Sequence, residues 1–347
     1  MNYDDFPDNF KQFSALYKDR VYSKICEYLD RREPEEYRKM IRVYVDRKGQ
    51  YRRPSYVLLW CALYGGDLDE AILPAAVQQA SEDWILIHDD IMDGNLVRRG
   101  APSAHALYGT DNAMLAGDNL HMIMWRMAKD AADSLGKERG DMYFNKLYDM
   151  MDITHVGQFL DTKLGHGVKD ITKFTDKDYY KSIHAKAAYY TVYGPMQAGA
   201  IVAEAEGDKI EKIVEYGTPA GLAFQITDDI LDCTSTTEVL GKTIGNDVRE
   251  GTKTLILWHA VNNAPSGTLN RLKEIYAKDR AEKSEEEIKF VLDTFNELGS
   301  IVYAQNEAER LGKEAAEKFD EIEADIPESR VKQLARSSII HTVKRAK

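Results

Sequence analysis

Through almost the whole chain apolar residues recur at spacings of three and four, the period of a helix with one buried face. Only nine prolines interrupt the 347 residues, and the 23 glycines fall mostly between these periodic stretches. Ile288, Val291, Leu292, Phe295, Leu298, Val302, Gln305 and Ala308 trace one such stripe, with Glu and Lys on the opposite face. No run shows strict period-two alternation bounded by hairpin turns, so no sheet is expected. No repeat of solenoid length and no low-complexity linker interrupts the pattern. The expected fold is all-α, with one domain over residues 1–347.

Three connections stand out. Cys233–Thr252 is the least helical stretch, rich in Thr, Ser, Gly and Asp, and a loop of that length inside a helical chain is usually functional. A second loop is expected at Gly94–Ser103. Tyr51–Pro54 should end a third, because proline suits the first turn of the helix that follows.

Composition removes several functions. A hydrophobic fraction of 44% with 10% aromatics is enough for a sizeable core. The formal charge of −12 argues against nucleic acid as a partner and against a general attraction to anionic lipid. Such a chain needs metal ions or local Lys/Arg clusters to handle anions. The start MNYDDFPDNF lacks the basic and apolar regions of a signal peptide, and no apolar run approaches the roughly 20 residues that span a bilayer. Cys26, Cys61 and Cys233 are scattered and odd in number, as free thiols in a reducing compartment would be. A cytoplasmic protein not integral to a membrane is expected.

The strongest chemical signal is Asp-Asp-x-x-Asp, present twice: Asp89, Asp90 and Asp93 in HDDIMD, then Asp228, Asp229 and Asp232 in TDDILD. Residues four apart share a helix face, so Asp89 with Asp93, and Asp228 with Asp232, pair like charges that repel unless a cation lies between them. Mg²⁺ suits such sites, since it commonly takes one or two carboxylates and completes its shell with water and phosphate oxygens. A solvated acidic face is the bland alternative. Each motif, however, follows an apolar run, WILI before the first and LAFQI before the second, so each helix leads from a greasy section to a charged end.

Here the chain resembles the trans-isoprenyl diphosphate synthases, the farnesyl and geranylgeranyl diphosphate synthase family. Arg98-Arg99-Gly100 begins nine residues after Asp89, as in that family; FQITDDILD and GKTIGNDVREGTKT match its second region, and Ala116-Gly117-Asp118 and the lysine of HAKAAYY fall in order. The resemblance implies the isoprenoid synthase fold, a single-domain bundle of about ten or more helices around a central cavity, a homodimer, and Mg²⁺-dependent condensation of an allylic diphosphate (dimethylallyl, geranyl or farnesyl) with isopentenyl diphosphate. It also implies three Mg²⁺ per site, with Mn²⁺ as a substitute. Asp89, Asp93 and Asp228 look like the Mg²⁺ ligands, with Asp90, Asp229 and Asp232 acting from behind them or through water. Arg98, Lys186 and Lys242 look like the holders of the allylic diphosphate, assisted by Lys253. Arg53 and Arg99 look like the isopentenyl diphosphate site, Gln225 like a polar residue beside the reacting carbons, and Phe224 like a wall.

Ionising an allylic diphosphate leaves a carbocation and a highly charged anion, so the barrier falls chiefly where fixed positive charge meets the departing group. Apolar walls protect the cation from water. The released diphosphate is the expected proton acceptor. His88 is read as structural or as an outer neighbour of the metal, because a lone His-Asp pair is no phosphohydrolase signature.

Three positions depart from the family. Gln50 stands where lysine is usual, Glu82 where His or Gln is usual seven residues before Asp89, and Ala187 where threonine is usual. Glu82 shares a helix face with Asp89 and should need a cationic partner among residues 48–53. Lys48 and Arg52 are candidates to offset Gln50. Product length resembles a ruler set by Ser81, Trp84 and Ile85. Trp84 lies about 7.5 Å up the helix from Asp89 at about 1.5 Å per residue. One aromatic there resembles the archaeal geranylgeranyl type, so C20 is favoured over C15. A non-catalytic or weakly active partner subunit and a class I terpene cyclase are the alternatives; a cyclase would need no isopentenyl site and usually carries a different second metal motif.

Overall fold

Several helices begin where the sequence offers a side-chain cap. Asn9 accepts the N–H of Gln12, Asp67 that of Asp69, and Ser284 that of Glu287, the last within a reciprocal capping box. In this computed structural model residues 6–234 and 244–344 are described. They form α1 (Phe10–Leu29), α2 (Glu35–Asp46), α3 (Arg52–Leu63), α4 (Leu68–Met92), α5 (Ala104–Tyr108), α6 (Thr110–Ser134), α7 (Lys137–Thr162), α8 (Asp176–Ile183), α9 (Gly194–Val202) and α10 (Gly207–Thr234). Then follow α11 (Asn246–Glu250), α12 (Leu255–Asn263), α13 (Ser266–Ala277), α14 (Glu285–Glu297), α15 (Ser300–Ile322) and α16 (Arg330–Lys344). Two segments, Lys163–Gly167 and His184–Tyr193, are π-helical.

The expected all-α class holds, with one addition. Inside the Gly94–Ser103 connection, β1 (Val97–Arg98) pairs antiparallel with β2 (Ala101–Pro102). Strands of two residues are too short to show a period. Pro54 does lie in the first turn of α3, as expected. The Cys233–Thr252 connection contains a helical turn, α11; its residues 235–243, Lys242 among them, lie outside the described residues.

Two compact units emerge. The first comprises the chain up to Asp149, Thr191–Val214 and Phe319–Ser338; the second comprises Met150–Tyr190, Glu215–Lys318 and the chain from Ile339. In the first unit every residue of α3 from Pro54 to Leu63 is buried. A helix apolar all round can only be central, and α1, α4 and α9 pack around it. In the second unit Ile226 and Ile230 of α10 join Leu255, Leu272, Ile275, Val291 and Phe295 in one core.

The stripe read from Ile288 to Ala308 is two helices. Gly299, with φ of +66°, ends α14 after Leu298, and α15 restarts in a new register. Val302 is therefore exposed, while Ser300, Ala304 and Ala308 face inward.

Candidate active site

The first motif occupies the last turn and C-cap of α4, where unpaired carbonyls already carry partial negative charge. Three carboxylates there demand compensation, and it is densest at the middle one. Asp90 is fully buried; Arg98 Nε donates to both its oxygens at 3.1 and 3.0 Å, Arg98 Nη2 donates to Oδ1 at 2.5 Å, and Tyr44 Oη donates to Oδ2 at 2.5 Å. The Tyr44 hydroxyl in turn accepts the N–H of Ala104 at 3.1 Å. Arg47 ties the hairpin down by donating to the carbonyls of Arg98 and Pro102 at 3.0 and 2.7 Å. Asp89 and Asp93 remain partly exposed beside this network. His88 lies 3.4 Å from both the Met114 carbonyl and Asp118, against the Trp84 ring, which fits an outer role.

Arg99 follows Arg98 in a left-handed conformation, φ +54°, which turns its side chain the other way. It donates to the Tyr44 carbonyl at 2.6 Å and pairs with Asp83 at 2.8 Å and Glu82 at 3.8 Å. Glu82 also meets Arg53 at 3.1 Å, the partner its register called for, and Arg53 donates to Thr191 Oγ1 at 2.8 Å. Burial pushes the Glu82 carboxyl up, but Arg53 and Arg99 outweigh it and hold the group below its ordinary value. Asp83, fully buried, goes the other way: burial and the Glu82 charge carry it up to about 6 against the pull of Arg99. The Lys48 ammonium lies 2.7 Å from Asp19 and over the Tyr22 ring, and Arg52 donates to the Gln50 side chain at 3.3 Å.

The ruler residues lie one to three turns back along α4. Ser81 is buried and donates to the Gln78 carbonyl at 2.8 Å. Trp84 is buried, stacked on His121 with ring centroids 4.2 Å apart, and Ile85 is partly buried.

In the second unit the other motif closes α10, again with its middle aspartate buried, but here the third is buried as well. Asp229 is buried, accepting from Tyr179 Oη at 2.7 Å and from Gln225 Nε2 at 2.9 Å. Burial, with Asp228 and Asp232 adding charge, pushes its carboxyl up to about 7. Asp232 is buried and accepts the N–H of Asp247 at 3.0 Å, while its carbonyl accepts that of Gly245 at 2.9 Å. Asp228 stays partly exposed, as does Phe224 one turn before it.

Lys186 sits in the π-helical segment and meets Asp161 of α7 at 2.6 Å. The two elements approach so closely that a Cβ on Gly157 would stand 2.4 Å from the Lys186 nitrogen, so only glycine fits there. Lys253 is buried and donates to the carbonyls of Gly251 and Gly165 at 2.7 and 3.2 Å; burial and the charges of Lys283 and Lys169 lower it to about 8.

The motifs were visible in the chain; their partners were not. Tyr44, Tyr179 and Asp161 belong to no motif, and only the need of a buried Asp or Lys for a partner points to something like them. Among the described residues no three side-chain donors could by themselves hold a metal ion. The partly exposed carboxylates are nonetheless of the hard oxygen type that suits a divalent cation, since Mg²⁺ commonly takes one or two carboxylates and completes its shell with water and phosphate oxygens.

Residues 34–295 match the family model described as polyprenyl synthetase. A geranylgeranyl diphosphate synthase of Methanosarcina mazei is 33% identical over 89% of this chain and 90% of its own length. A geranylfarnesyl diphosphate synthase of Aeropyrum pernix is 31% identical over 86% and 91%. The fold is similar to that of a geranylgeranyl pyrophosphate synthase from Corynebacterium glutamicum, solved with isoprenyl diphosphate and magnesium: the TM-score is 0.85 over 97% of this chain and 99% of that one, at 23% identity. The chain therefore belongs to the polyprenyl synthetase family, as a short-chain prenyltransferase with the all-α isoprenoid synthase fold.

Proposed function

We propose that this chain condenses isopentenyl diphosphate head-to-tail with an allylic diphosphate, dependent on Mg²⁺, and releases a C20 prenyl diphosphate in preference to C15. The observation that carries the reading is the division of labour in each acidic triplet. The middle carboxylate is sunk and held by a tyrosine and a cationic or amide donor, Asp90 by Tyr44 and Arg98, Asp229 by Tyr179 and Gln225, and in the second triplet Asp232 is buried as well. Asp89, Asp93 and Asp228 stay partly exposed at their helix ends. Tying down the middle aspartate fixes the turn that presents the others.

Asp89, Asp93 and Asp228 would hold Mg²⁺, which when bound supplies Lewis-acid stabilisation of the departing diphosphate. Arg98, held rigid by Asp90, and Lys186, held by Asp161, orient the allylic diphosphate; Lys242 and Lys253 are assigned the same task from the sequence. Arg53 and Arg99 receive isopentenyl diphosphate. Gln225 keeps Asp229 in place and lies one turn before Asp228. Ser81, Trp84 and Ile85 limit the growing tail. The names of the relatives support C20, with C25 as the neighbouring product.

We also propose that residues 1–347 act as one synthase domain and that two copies pair. The chain passes repeatedly between the two units, so neither is a contiguous segment. Large apolar side chains left exposed on α6 and α7 support the pairing.

The test is incubation with isopentenyl diphosphate and each of dimethylallyl, geranyl and farnesyl diphosphate, with Mg²⁺ or with chelator, followed by chromatography of the dephosphorylated products. A C20 alcohol that vanishes with chelator is expected, with kcat down at least about 100-fold in Asp89→Ala or Asp228→Ala. Product formed equally well in chelator, or by those variants, would end the reading.

A further inference from the structure

The two guanidinium groups assigned to isopentenyl diphosphate are already neutralised by the protein. Arg53 and Arg99 face Glu82 and Asp83, two charges against two, and none of the first three is more than 17% exposed. The carboxylates are not equivalent. Asp83 touches Arg99 alone and is sealed, with Gln79 as its other donor at 3.1 Å. Glu82 is the only one that reaches both arginines among the described ion pairs, and it lies on the side where they remain partly open.

We propose that Glu82 is an affinity-setting residue that acts as a built-in counterion and holds down the affinity of this chain for isopentenyl diphosphate. The inference rests on the reading of Arg53 and Arg99 given above. A diphosphate arriving at these two arginines must compete for positive charge that Glu82 already balances and then lie beside its carboxylate. Like charges a few ångströms apart in a poorly solvated site repel strongly. Gln50 brings no charge, Lys48 is turned to Asp19, and Arg52, bonded to Gln50, acts on Glu82 more weakly than Arg53 and Arg99 do.

Glu82→Gln keeps the shape and the acceptor and removes the charge; Glu82→Asp keeps the charge. Isopentenyl diphosphate alone is titrated into each protein by calorimetry, with no allylic substrate, and steady-state kinetics follow. Glu82→Gln is expected to bind about tenfold more tightly, with KM for isopentenyl diphosphate lowered alike. Its kcat and its KM for the allylic substrate should hold, and Glu82→Asp should bind no more tightly than wild type. Gln50→Lys, at an exposed position, adds charge without disturbing the buried network and should also tighten binding, so it decides the matter if Glu82→Gln does not fold. Equal or weaker binding by a folded Glu82→Gln, or failure of every variant to bind, overturns the proposal. A wild-type protein that makes no product would refute the condensation reading instead, and the calorimetric comparison would still stand.

Discussion

Asp90 and Asp229 hold the same place in their motifs, and in both a tyrosine from a distant helix supplies the bond that keeps the acid inside. The aspartates were legible because the motif repeats; the tyrosines were not, because Tyr44 and Tyr179 sit in unremarkable helical sequence. Glu82 was legible as a charge in need of a partner, and Arg53 is that partner. Asp83 was silent in the sequence, yet it has a consequence for pH. Its carboxyl, raised to about 6, keeps a proton in the folded protein at pH values where the unfolded chain has lost it. The stability it contributes is therefore full below about pH 4 and is lost as pH rises through about 6. Glu82, held low by Arg53 and Arg99, runs the opposite way, and Tyr51 titrates far above this window. Both are shared by wild type and Asp83→Asn. Urea midpoints should thus show Asp83→Asn gaining on wild type by roughly 1–3 kcal/mol between pH 4 and 7. A constant difference across that range would show that the Asp83 carboxyl is not raised.

At the scale of elements, long helices were readable because many turns repeat one pattern, as in α4 and α10. What escaped was shorter than a period or depended on contact. Two-residue strands leave no alternation to detect, and the π-helical segment around Lys186 is shaped by its approach to Gly157. Gly299 was visible as a residue, but the stripe on either side was apolar enough to hide the change of register. Helix α4 also carries the residues proposed as the ruler. Trp84 is stacked on His121, which Trp125 bonds through Nε1 at 2.8 Å, so the indole is held in place. Trp84→Ala should move the product distribution toward longer chains, with a stability loss of about 3–5 kcal/mol for the emptied volume. Trp84→Leu should shift it in the same direction at a smaller cost. Product chromatography that leaves both distributions unchanged would discard the ruler role.

For the molecule as a whole, fold class, chemistry and the absence of a membrane-crossing helix among the described residues could all be read from the chain. Association could not, because a helix with apolar residues on two faces gives no sign of which face its own fold covers. The structure separates them. On α6, Ala116, Leu120, Ile123 and Met127 are buried, while Met114, Leu115 and Met122 (65% exposed) are left outside. Leu115 and Met122 are seven residues apart, so they share a face. On α7, Tyr148, Val156 and Phe159 (65% exposed) are likewise uncovered. Apolar groups of this size left on two long helices are costly in water and are the kind of surface a second copy covers, because an isologous contact buries every such residue twice. Sedimentation should therefore show a species of twice the 39.4 kDa chain mass. Met122→Glu or Phe159→Glu, each placing a charge on a position already exposed in the single chain, should give monomer without lowering the melting temperature of the isolated fold. Wild-type protein that sediments as a monomer at micromolar concentration would show that these faces are covered by something other than a second copy.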